Sequence, residues 1–297
     1  MPITADFEYT RVKDLKEALE LKSEYGKGAR VLAGGTDLLV HLKENPVSPR
    51  LLLDLKSLGE LNRIQLKNGT LKIGANVTFA ELIESALVRK NFPILWEAAM
   101  TVASVGVRNR ATMAGNICSA VPSADAASPL LVYEAEVSVL NRKDARVIPM
   151  NDWFTGPKKT SLKEDEIVES VELKIPEKKH SGCYLKLSRY EGEDLAQGAL
   201  SVLMNADKTF RVAAAALAPT PRRAFKTESY LKGKKITQVA AKEAGKLLLG
   251  EISPISDIRS SKEYRLHMAS VMLERGLEKA VKRFFSDRPD YGEGMIA

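Results

Sequence analysis

Sulfur and imidazole are scarce in this chain. Two cysteines, Cys118 and Cys183, stand 65 positions apart in 297 residues. That number and spacing leave no disulfide framework, no thiolate metal cage and no iron–sulfur cluster on this polypeptide. The three histidines, His41, His180 and His267, are isolated in sequence, so no metal site is expected. No apolar run approaches the ~20 residues that span a bilayer. Residues 1–10 carry acidic side chains and no apolar centre, which is not a signal peptide, and the cytoplasm is the expected location. No nucleophile–base constellation stands out, and no catalytic residue is assigned.

What is present is ordinary globular material, 44% hydrophobic and 28% charged, long enough for two domains with separate cores. The net charge of +7 comes from Lys and Arg scattered among Asp and Glu. No aromatic-interleaved basic motif accompanies it, so nucleic acid is not an expected partner. The excess reads as a solvated surface that also helps to hold an anionic ligand.

The chain is organised around residues 30–40, Arg-Val-Leu-Ala-Gly-Gly-Thr-Asp-Leu-Leu-Val. Val31 and Leu32 suit a buried strand, Ala33, Gly34 and Gly35 remove side chains at a turn, and Thr36 or Asp37 can cap a helix that starts at Leu38. A strand, a glycine turn and a capped helix leave backbone N–H groups free at the positive end of a helix dipole, a geometry suited to phosphate. The same pattern also serves as a plain tight turn in α/β proteins. On these residues alone both readings stand.

Asp14 and Glu17, then Thr78 and Glu81, have capping-box spacing, the second opening a helix through Arg89, with another starting at Pro93. Leu51-Leu-Leu-Asp-Leu55 suits a buried parallel strand, and Asn68-Gly69 marks a hairpin. Residues 107–125 are dense in small side chains and poor in large apolar ones, so they fit a wall close to a flat or extended ligand better than a core. Thr112, Asn116, Ser119 and Asp125 add neutral donors and acceptors and one carboxylate, an inventory for ribose hydroxyls and ring edges rather than acid–base work. A polar, turn-rich stretch at 176–182 is the expected domain boundary. Beyond it three strand-like runs form an antiparallel meander that Pro219 and Pro221 end. Three helical segments follow, the last with a stripe of Tyr264, Met268, Val271, Met272, Leu277, Ala280, Val281, Phe284 and Phe285. Residues beyond 286 are expected to fray.

Taken in order, Ala33-Gly-Gly-Thr-Asp-Leu38, Ile73-Gly-Ala75, Arg108-Asn-Arg-Ala-Thr-Met-Ala-Gly-Asn116, Ala120-Val-Pro-Ser-Ala-Asp125, Lys186-Leu-Ser-Arg189 with Asp194, and Tyr264-Arg265 resemble the FAD-binding medium subunit of molybdenum-containing hydroxylases. The resemblance covers residues 7–285. It implies an α+β chain: a two-part FAD-binding domain of the vanillyl-alcohol-oxidase type (residues 1–177), a small α+β domain with a three-stranded antiparallel sheet plus helices (178–286), and a tail (287–297). The implied cofactor is non-covalent FAD. Leu32, Ala33, Gly34, Gly35, Thr36, Asp37 and Leu38 would cradle its pyrophosphate, with Asp37 and Leu38 near the isoalloxazine. Thr112, Ala114, Gly115, Asn116 and Ser119 would form a second phosphate and ribose loop, and Val31 and Val107 would be further cofactor contacts. Asp125 would accept from ribitol or ribose hydroxyls, Val168 would line the adenine or ring side, and Lys186 would reach the flavin to stabilise negative charge on its reduced form. The implied partners are a large subunit with a molybdenum cofactor and a small subunit with [2Fe-2S] clusters, in a dimer of heterotrimers. Two features depart from common members. Ala114 stands where the second loop often has glycine, and Thr36-Asp37 stands where carbon monoxide dehydrogenases tend to have His-Ser. Two other readings are a free-standing FAD-dependent oxidase of the same fold and a nucleotide-binding module without redox function. The first would turn over a small alcohol or amine alone, and the second would lack flavin colour.

Two separated small-residue loops call for an extended dinucleotide. Acid precipitation should therefore release FAD equimolar with the chain by mass spectrometry. FMN in the supernatant, or flavin left on the polypeptide, contradicts this.

Overall fold

The computed structural model describes residues 3, 6–44, 49–190 and 192–295. Three larger sheets succeed one another along the chain, each with its own apolar cluster or a share in a common one, and a two-stranded ribbon pairs Phe154–Gly156 with Lys159–Thr160.

The first is a parallel sheet in which Leu51–Asp54 lies between Glu8–Arg11 and Ala29–Leu32. All four residues of the central strand are buried, as an apolar run flanked on both sides requires. The helix Leu15–Tyr25 is capped by Asp14, whose carboxylate accepts the Glu17 N–H at 2.8 Å. The Glu17 carboxylate reaches back one residue further than a capping box requires, to the N–H of Lys13.

The second sheet is antiparallel and five-stranded, in the order Ile64–Lys67, Thr70–Gly74, Ile167–Lys174, Glu136–Leu140, Ala145–Pro149. The expected hairpin at Asn68-Gly69 has positive φ at both residues, 51° and 73°, the handedness that matches strand twist. Thr78 and Glu81 form the full reciprocal box, with bonds of 3.2 and 2.7 Å. The helix that follows stops at Glu84 instead of running through Arg89. Ser85 turns extended there and caps a second helix, Ala86–Asn91, by accepting from Val88 N–H. A serine side chain that competes for backbone N–H groups thus breaks a continuous pattern in two. Pro93 opens the next helix, Pro93–Met100, whose first seven residues are buried, Glu97 included.

The third sheet carries the expected meander, His180–Leu187, Gly198–Asn205 and Phe210–Ala215, and adds a short fourth strand, Arg222–Arg223. Arg223 secures this edge strand through Glu228 and Glu134, so the sheet continues past the prolines that were expected to end it. The helix Lys262–Phe285 packs on the sheet, but its buried face is Ala269, Met272, Leu273, Gly276, Leu277 and Ala280. Tyr264 and Phe285, assigned to the buried stripe by pattern, are exposed. Small residues set the contact: a Cβ at Gly276 would stand 2.9 Å from Val202, so the helix turns its glycine and alanines inward.

Residues 286–295 do not fray. They fold back over the seam between the second and third sheets, where Arg283 and Glu97 form an ion pair with both side chains fully buried. Removing one member of such a pair leaves the other charged and unsolvated. Glu97→Ala should therefore lower unfolding free energy by ~3–5 kcal/mol in chemical denaturation. A loss below about 1 kcal/mol would show that water reaches the seam.

Candidate functional site

The strand Ala29–Leu32 delivers the chain to the glycine turn, and the helix Leu38–Glu44 leaves it. The two glycines are required for different reasons. Gly35 has φ +79°, a left-handed conformation that a Cβ disfavours. Gly34 lies against another loop: a Cβ there would sit 2.0 Å from the carbonyl oxygen of Arg110 and 3.0 Å from Cα of Ala111. The two loop backbones thus lie so close that no side chain fits between them at Gly34.

That second loop is built by a chain of local caps. Ser104 caps Val105–Arg108, and the Arg108 guanidinium turns back onto the carbonyls of Val102 (2.8 Å) and Ala103 (2.6 Å). Ala111 accepts from Phe79 N–H and Met113 donates to Val77, tying the loop to the second sheet's helices. Thr112 then caps the helix Met113–Ser119 by accepting from Gly115 N–H at 3.0 Å. A Cβ on Gly115 would stand 2.8 Å from that hydroxyl. Ala114 lies within the helix and keeps negative φ, so its methyl group is tolerated. Trp153, fully buried, donates to Ile117 and fixes the helix from below. The helix ends in a left-handed Ala120 with φ +46°.

The two loops meet a second time through side chains. Ser119 Oγ donates to Asp37 Oδ2 at 2.5 Å, across 82 residues of sequence. Among the described residues, no hydrogen-bond acceptor serves the backbone N–H groups of Gly34, Gly35, Thr36, Asp37 or Leu38. Five consecutive amides without acceptors beside a helix start are a set of donors that suits an anion.

The polar side chains expected to face a ligand have internal partners. Thr112 is a helix cap and Asn116 Oδ1 accepts from Ala126 N–H at 3.3 Å. Asp125 is buried; Oδ1 accepts from Tyr184 OH at 2.6 Å and Oδ2 from Lys186 Nζ at 3.2 Å. Burial pushes its carboxyl above the usual carboxylate range, with Lys186 and Tyr184 pulling the other way. Lys186, expected at the flavin, is 1% exposed, and Nζ also donates to the Thr101 carbonyl at 2.9 Å. Val168 is buried in the strand Ile167–Lys174, against which the helix Met113–Ser119 packs. Val107 and Val31 are half-buried, Leu32 is buried, Ala33, Thr36 and Leu38 are half-buried, and Asp37 is exposed.

Sequence reasoning missed Ser104 and Tyr184, which shape or support the two loops, and it quoted Arg108 and Arg110 in a motif without giving either a role. For Tyr184 a signal existed: it shares a strand face with Lys186 at a spacing of two. Arg110 contributes only its carbonyl, which no side-chain pattern announces.

The contacts of Gly34 and Gly35 give separate predictions. Gly34→Ala should displace the Arg110 carbonyl, destabilise the chain by about 1–3 kcal/mol and weaken ligand retention. Gly35→Ala should lose roughly 1–2 kcal/mol through its left-handed φ, with Leu32 Cδ1, 2.9 Å from the added Cβ, shifting to make room. Thermal melts with and without ligand check both. A Gly34→Ala chain as stable as the parent would contradict the close approach.

Comparison with known proteins places these features. Residues 5–177 match the FAD-binding domain of molybdopterin dehydrogenases, and residues 184–280 match the C-terminal domain of carbon monoxide dehydrogenase flavoproteins. The putative xanthine dehydrogenase FAD-binding subunit of Escherichia coli K12 is 32% identical over 92% of this chain and 95% of its own length. The carbon monoxide dehydrogenase medium chain of Hydrogenophaga pseudoflava is also 32% identical, over 93% and 98%. Solved carbon monoxide dehydrogenase chains from that organism and from Oligotropha carboxidovorans superpose with TM-scores of 0.89 and 0.90, at 31% and 30% identity. They cover 94% and 95% of this chain and 98% and 100% of their own. With both its domains matched, this chain belongs to the FAD-binding medium subunits of the molybdenum hydroxylase-type dehydrogenases.

Proposed function

We propose that this chain is the electron-transfer subunit of a molybdenum hydroxylase complex. It takes electrons from [2Fe-2S] clusters of a small partner subunit and passes them to an external acceptor. Substrate oxidation takes place at a molybdenum cofactor on a large subunit, and the whole assembles as a dimer of heterotrimers. Bound FAD supplies the chemistry that joins one-electron carriers to a two-electron acceptor.

The observation that carries the reading is the junction of the two loops. The junction fits a dinucleotide through five amides without acceptors and a second capped helix start joined to the first, with Gly34 letting the two loops meet. The amides of residues 34–38 would hold the pyrophosphate, and Leu38, half-buried beside them, would meet the ring system. The loop at 112–119 would hold the second half of the cofactor through its backbone, since Thr112 and Asn116 already have partners. Asp125 and Lys186 act from behind that loop by fixing the segment that follows it.

Purification from the native source tests the assignment. The chain should co-elute with two further subunits carrying molybdenum and iron, and its flavin absorbance should bleach when the organic substrate is added. A chain that elutes alone and oxidises a small alcohol or amine without partners would overturn it.

A further inference from the structure

Among the described residues no strand pairs with the outer edge of His180–Leu187, yet two of its amides find acceptors. Tyr184 N–H donates to Glu97 Oε2 at 3.0 Å, and Lys186 N–H donates to the Met295 carbonyl at 2.8 Å. The second acceptor belongs to residues 287–295, which return along this edge after the last helix. Their anchor is Arg283. Its Nε donates to Asp290 Oδ1, Nη1 to Gly182 O and Glu97 Oε2, and Nη2 to Glu97 Oε1 and Asp290 O. All five donors of the guanidinium are thereby matched. Gly292 N–H adds a bond to Glu97 Oε1 at 3.0 Å. It does so at φ +95°, with a Cβ position 3.2 Å from the Trp96 ring, so only glycine fits without strain. Tyr291 lies against the same guanidinium, 4.4 Å from ring centre to Cζ. Lys279 Nζ donates to the carbonyls of Glu293 and Gly294, steering the chain toward Lys186.

The end of this segment therefore touches the backbone of the residue whose side chain grips Asp125. We propose that residues 287–295 are a strap that sets the position of Lys186, and through the Lys186–Asp125 pair holds the FAD loop at 112–125 closed on its cofactor. The inference rests on the reading of that loop as an FAD loop. Asp290 and Gly292 are positioning residues: neither touches either loop, and both act through Arg283, Glu97 and Lys186.

The test is the rate of FAD release from the FAD-loaded full-length chain, together with hydrogen exchange at the Lys186 amide. Gly292→Ala and Asp290→Ala should each speed FAD release on the order of tenfold, the equivalent of losing one well-made hydrogen bond. The Lys186 amide should exchange faster in the same proportion, and Asp290→Glu should restore both. Should Gly292→Ala fail to fold, the Asp290 pair still decides. Faster exchange at Lys186 with parental FAD release would make the strap purely structural and overturn the proposal. Gly115→Val separates this from failure of the underlying reading, because its Cβ would stand 2.8 Å from the Thr112 hydroxyl and disturb the cap that shapes the loop. If that change inside the loop also leaves FAD release untouched, the loop is not where FAD sits, and both readings fall.

Discussion

The whole arrangement depends on one backbone-to-backbone approach. Gly34 in the parallel sheet's turn lies where any Cβ would overlap the carbonyl of Arg110 in the second subdomain. Glycine is needed because two main chains compete for the same space. Once they meet, Asp37 and Ser119 come within hydrogen-bonding distance, and two short helices begin at one junction. The junction therefore offers chiefly main-chain N–H groups, and Thr112, Asn116 and Asp125 spend their polar atoms on internal partners. Such a site is insensitive to side-chain identity at its surface and sensitive to anything that moves the backbone.

Support for that backbone comes from buried charge. Asp125 and Lys186 join the second loop to the third sheet, and Glu97 and Arg283 join the helix Pro93–Met100 to the last helix and the returning tail. Both pairs gain further partners, main-chain groups and a phenol for Asp125–Lys186 and main-chain groups and the Asp290 carboxylate for Glu97–Arg283, and such partners offset the cost of burying ions. They give the domain seam a defined register that apolar packing alone would leave loose.

Much of this was legible in the sequence, and the parts that were share a cause. The Thr78–Glu81 box, the Asn68-Gly69 hairpin and the strand–turn–helix at residues 29–44 are decided within a few residues, so local rules suffice. The small-residue stretch at 107–125 fitted a ligand wall better than a core by composition, whereas Ala111, Met113, Ala114 and Ile117 are buried in the main apolar cluster, because small side chains let this stretch pack close to its neighbours. What was not legible depends on partners far away in the chain. Asp125 finds Tyr184 at a separation of 59 residues, and Glu97 finds Arg283 at 186, so both looked like available polar groups or ordinary surface charges. The burial of the last helix shifted because Gly276 and its alanine neighbours allow closer packing than the larger residues of the apparent stripe. The tail looked like a polar end, and only Arg283 gives it a place.

The central claim is that the cofactor is held by main-chain N–H groups of residues 34–38. Amide resonances of a nitrogen-15-labelled chain, compared with FAD bound and FAD removed, address it most directly. The account predicts large downfield proton shifts at Gly34, Gly35, Thr36, Asp37 and Leu38 on binding, as free amides acquire phosphate acceptors. Shifts confined to side chains, or to residues outside both loops, would contradict it.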